Sequence, residues 1–114
     1  MTSRAAHQVA HIHEMTGRGV AGAAFMKRTF EGWRGGGLAG HNMWHWALML
    51  VDAGEREEAL ELFEGHILDY HGKNLAMGLN DIASLLYRLK LDDVPLVSIL
   101  RDNLCRAFLG ISEA

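Results

Sequence analysis

The chain has 114 residues, which suits one domain with one modest core. Apolar residues make up 49% and charged residues 22%, a globular composition and not that of a disordered chain. The formal net charge is −3, the pI is near 6.1 and no basic stripe is visible, which argues against nucleic acid and anionic membrane as partners.

The hydrophobic periodicity is helical almost throughout, with one proline and no alternating strand pattern. The first helix is expected over Ser3 to Thr16, ending at Gly17. The second covers Val20 to Trp33, with Ala21, Ala24, Phe25, Met26 and Phe30 as its apolar side. The run "RGGGLAG", Arg34 to Gly40, is the clearest break, because consecutive glycines hold helix poorly. A third helix follows from His41 to Ala53, with Gly54 in the usual glycine position past a helix end. The fourth, "EREEALELFEGHILDYH", opens with Glu55, Glu57 and Glu58, which favour the positive N-terminal end of a helix. After a turn at Gly72 to Asn74, the fifth runs from Leu75 to Lys90 with Leu79, Ile82, Leu85, Leu86 and Leu89 as its stripe. "DDVP" opens a sixth: Asp92 or Asp93 can cap it, Pro95 suits its first turn, and Val97, Leu100, Leu104 and Phe108 form its apolar side. Short connections imply antiparallel neighbours, hence three hairpins, at about 3–33, 41–71 and 75–111, within a single domain spanning 1–114.

The longest unbroken apolar run, Trp46 to Val51, is far shorter than the roughly 20 residues a membrane span needs. The opening "MTSRAAHQVAH" lacks the basic-then-apolar layout of a secretory signal. A single Cys105 excludes an internal disulfide framework and fits a reducing compartment, so a cytoplasmic location is the default expectation.

The third and fourth helices carry an internal pattern. Ala47 precedes Gly54 by seven positions, Ala59 follows it by five and Phe63 by nine. Small residues let two antiparallel helices approach, the glycine makes the turn and the large residue plugs the contact with the next pair. This is the tetratricopeptide-repeat layout. Ala10, Gly17, Gly22 and Met26 fit the same frame more loosely, and Gly17 to Gly54 spans 37 residues. The expected fold is therefore all-α, with about six helices in three tetratricopeptide-like α-α hairpins. An antiparallel helix pair with a plain alanine seam is the blander alternative.

In this frame His41 and Trp44 fall on the groove side of the third helix, with His45 one turn from His41. His7, His11 and Glu14 fall on the groove side of the first. Two helical His-x-x-x-His pairs can share one metal ion, because imidazoles one turn apart point the same way. His7, His11, His41 and His45 are then the candidate ligands. Glu14 would be a further ligand or a general base, and His13, off that face, would orient its neighbours. No His-Glu-x-x-His and no Glu-x-x-His occurs, so neither the common helical zinc motif nor the di-iron bundle motif is present. The bland alternative is a set of polar groove or core histidines bonded to backbone or carboxylates.

Other features read more simply. Trp44 and Trp46 lie on different helix faces, so one packs and the other faces the groove. His66 and His71 are five apart and point different ways. Cys105 reads as a buried, inert thiol. Met15, Met26, Met43 and Met49 read as core fillers. "GRGVAG", Gly17 to Gly22, follows a helix and lacks a lysine, so it is no phosphate loop.

"AHQVAHIHEMTGR", "HNMWHWALMLVDAGEREEALELFEGHIL" and "DIASLLYRLKLDDV" each resemble a segment of the tetratricopeptide repeat protein 38 family, in the same order and with similar spacing. The resemblance covers about residues 6 to 94 and implies an α-α helical repeat. Matching positions include His7, His11, Glu14, His41, His45, Tyr87 and Arg88. Members of that family are several times longer, so the chain resembles an inner to C-terminal section, and the tail after Val94 departs from the pattern. The resemblance supplies no reaction.

Two functions stay open at this level. The first is a helical-repeat module that binds a protein or peptide, or a second copy of itself through unpaired apolar ends. The second is a metal or small-ligand site, hydrolytic if a divalent metal such as zinc is bound, built from His7, His11, Glu14, His41, Trp44 and His45.

Overall fold

A computed structural model of the protein describes residues 1–67 and 75–91. The described residues are all-helical: α1 (Ser3–Met15), α2 (Gly19–Trp33), α3 (Ala39–Asp52), α4 (Arg56–Leu62) running into a π-helical turn (Phe63–Ile67), and α5 (Leu75–Leu91). The sixth helix expected from "DDVP", with Cys105, Phe108 and His71, lies outside the described residues.

Thr2 opens α1, its hydroxyl accepting the Ala5 N–H at 3.1 Å. α1 and α3 end alike. Arg18 N–H donates to His13 O at 2.8 Å and Gly17 N–H to Glu14 O at 3.2 Å, and Glu55 and Gly54 repeat both bonds on Leu50 and Val51. This double closure needs a left-handed residue past the helix end. Gly17 (φ 69°) and Gly54 (φ 82°) supply it. The short turns fold α1 onto α2 and α3 onto α4, while α3 also packs on α1, α2 and α5.

This placement explains the character of α3. Ten of its 14 residues are buried, because it has neighbours on nearly every side. Met43, Ala47 and Met49 are fully enclosed, with Met26 and Trp33 from α2, Phe63 from the π-turn and Ile82, Leu85 and Leu89 from α5. The eight positions of the seven–five–nine spacing behave alike in both halves. Ala10, Met26, Ala47, Ala59 and Phe63 are fully buried, and Gly22 is buried where a Cβ would overlap Met49 Sδ and come within 2.8 Å of His13 Cβ.

Several expectations are corrected. The fourth helix is not α-helical throughout, since Phe63–Ile67 form a π-turn; its expected continuation to His71 and the turn at Gly72 to Asn74 lie outside the described residues. The buried side of α2 is Gly22, Ala23, Met26 and Trp33, while Ala21 and Ala24 are exposed. Met15 is no core filler: at the end of α1 it is 78% exposed. α3 starts inside the glycine run, because Ala39 and Gly40 are buried against its neighbours and tertiary packing outweighs glycine's poor propensity. No helix among the described residues is long and apolar enough to cross a membrane.

Candidate metal centre

α1 lies alongside the first half of α3, from Ser3 beside Asn42 to Glu14 beside His45, and the two histidine pairs meet between those contacts. Within each pair the one-turn spacing brings the ring nitrogens together: His7 Nε2 and His11 Nε2 are 3.0 Å apart, His41 Nε2 and His45 Nε2 3.1 Å. Across the helices the ring centroids of His7 and His41 are 5.0 Å apart, those of His7 and His45 5.1 Å, and those of His11 and His45 4.6 Å. His7, His11 and His45 each offer a nitrogen within 4.8 Å of the other two. Zinc bonds of 2.0–2.1 Å in a tetrahedron would set such nitrogens about 3.3–3.4 Å apart. The intrapair spacings are already near that value.

Two carboxylates stand behind the rings. Glu14 Oε1 accepts from His45 Nδ1 at 2.7 Å, and Asp81 Oδ2 accepts from His41 Nδ1 at 2.8 Å. Both bonds are shielded: the side chains of His45 and Asp81 are 2% and 8% exposed. A Nδ1 hydrogen committed to a carboxylate leaves the Nε2 lone pair facing forward, the tautomer a metal requires. Glu14 is thus a partner of His45, a contact that its sequence reading as ligand or general base did not include. Burial, chiefly, and then the neighbouring His45, His11 and His41 lower the pKa of His7 from 6.5 to about 4. Its ring is neutral at pH 7, with a lone pair to give.

Trp44 stacks on His41, centroids 5.0 Å apart with the planes 23° from parallel, and meets His45 edge-on at 4.6 Å. Trp46 takes the packing role, against Phe30 and Trp33. His13 does not orient the cluster. Its Nδ1 is buried with no hydrogen-bond partner among the described residues, and its ring lies 6.0 Å from Phe25. His66 packs near Phe30, and Tyr87 is 63% exposed.

Asp81 is the site residue that sequence reasoning missed. Its signal was present: Asp81, Leu85 and Leu89 occupy one i, i+4, i+8 row of α5, so the acid sits on a stripe where Leu85 and Leu89 are fully buried. A carboxylate there needs a partner inside the fold.

No family model matches this chain, and no solved structure matches it.

Proposed function

We propose that this protein is a helical-repeat module whose function centres on a bound divalent transition metal, with His7, His11 and His45 as ligands and His41 beside them. The observation that carries the reading is the contact between His41 and His45. Both rings commit their Nδ1 hydrogen to a carboxylate, so their Nε2 lone pairs face each other at 3.1 Å. A cation held by the cluster gives nitrogens that converge in this way a shared partner. Imidazole donors suit zinc, cobalt, nickel or copper over magnesium or calcium, which take oxygen ligands. The two carboxylates fix ring orientation and balance the charge of a divalent ion. Water activation is the chemistry such a centre offers, which makes hydrolysis its natural use.

The repeat part of the reading is supported by the two equivalent turns at Gly17 and Gly54, by the matched burial around them, and by the resemblance to the tetratricopeptide repeat protein 38 family. A second role, self-association, is favoured by Ile12, Met15 and Val20, which are 56%, 78% and 72% exposed around the α1–α2 turn.

The test is elemental analysis of protein purified without a histidine tag and without added metal. Near one equivalent of metal per chain is expected, falling at least tenfold in a His11→Ala/His45→Ala variant that keeps its helical circular dichroism. A wild-type protein without metal, and silent when titrated with cobalt(II), would sink the proposal.

A further inference from the structure

His41 is held away from the ligand trio on two sides. Its Nδ1 hydrogen is committed to Asp81 on α5, and its face lies against the Trp44 indole. It is not among the three histidines whose nitrogens lie mutually within 4.8 Å. Swinging it into that set would break the first contact and unstack the second. Its Nε2 nevertheless points into the cluster, 3.1 Å from His45 Nε2, with a lone pair to offer.

We infer that the centre is a three-histidine site with an exchangeable fourth coordination position, and that His41 accepts a hydrogen bond from whatever occupies it. This rests on the metal reading above and specifies its ligand class: a small oxygen or nitrogen donor that keeps a hydrogen once bound, water at rest or a primary sulfonamide as a probe. Three protein ligands with one open position mark reactive centres, whereas four closed ligands mark structural ones. The position is reachable, because His11 is exposed and His7 partly so. Both Nε2 atoms also find partners without moving a ring: that of His45 goes to the metal and that of His41 receives the ligand's hydrogen. Asp81 is the positioning residue, since its bond to Nδ1 determines which His41 nitrogen faces the cluster.

Cobalt(II)-loaded protein, followed by visible absorption, tests this with two probes. Azide binds metal and carries no hydrogen; methanesulfonamide binds through nitrogen and retains one. Both are expected to change the wild-type spectrum. In His41→Phe, which keeps a ring against Trp44, sulfonamide affinity should fall about tenfold, the loss of one hydrogen bond, while azide stays within twofold. Asp81→Asn, a milder variant that keeps His41, should shift sulfonamide in the same direction by a smaller factor. If neither probe perturbs the wild-type spectrum and both perturb His41→Phe, His41 is a fourth ligand and the inference fails while the metal reading stands. Equal losses for both probes also overturn it. A protein that takes up no cobalt removes the metal reading itself.

Discussion

Glu14 gives the most direct access to the reasoning behind the site. Its Oε1 lies 2.7 Å from His45 Nδ1, and the two side chains are 24% and 2% exposed, so the bond is charge-assisted and largely shielded from water. Partners of this kind behind a ligating histidine typically contribute 10–100-fold to metal affinity, about 1.4–2.7 kcal/mol. Glu14→Gln keeps the length and an acceptor oxygen, so the His45 tautomer survives and only the charge is lost; about a tenfold weaker affinity is expected. Glu14→Ala removes the acceptor as well and frees the ring to turn, which should take the loss towards 100-fold. Competition against a chelator of known affinity, at fixed pH and salt, measures both, with circular dichroism confirming the helical fold. The graded order wild type, Gln, Ala is the signature of orientation plus charge. A Glu14→Ala protein binding zinc within twofold of wild type would refute the idea that His45 is held ready by Glu14.

The lowered pKa of His7 sets a pH dependence. Between pH 6.5 and about 4 the unfolded chain carries a proton on His7 that the folded chain does not, so metal-free stability should fall as pH drops through that window and level off below it. Denaturant midpoints across that range check this, and His7→Gln should flatten the slope. Gly54→Ala places a Cβ at φ 82° with nothing within 4 Å, so the cost is backbone strain alone, about 1–2 kcal/mol and several degrees in Tm; an unchanged Tm contradicts it. For self-association, light scattering at tens of micromolar should report a dimer that Met15→Lys/Val20→Lys converts to monomer; a monomeric wild type ends that reading.

The described helices and most of the candidate site were readable because both depend on spacing along the chain. His7/His11 and His41/His45 sit one helical turn apart, and Gly17 and Gly54 marked the turns after α1 and α3. What stayed hidden depends on contacts between segments distant in sequence. Periodicity put Ala21 and Ala24 on the apolar side of α2, yet α1 and α3 together select the Gly22–Ala23–Met26 side. Local propensity placed the start of α3 after the glycines, yet burial draws Ala39 and Gly40 into it.

The roles of Glu14 and Asp81 follow the same division. The spacing of Glu14 from His7 and His11 brought it to the cluster and suggested a ligand or a general base. Its 2.7 Å contact with a nitrogen from α3 is a role that spacing did not suggest. Asp81 is 40 residues from His41, and no local pattern links them. It was detectable only as an acid on a buried row, a sign that a partner exists and not of which one. Once that partner is His41, the tautomers of both α3 histidines are determined by residues of other helices: Glu14 on α1 and Asp81 on α5. The chemistry of the cluster is therefore a property of the packed bundle. A variant that loosens α5 from α3, such as Leu85→Ala at a fully buried position, should alter the centre's ligand affinity although it touches no histidine.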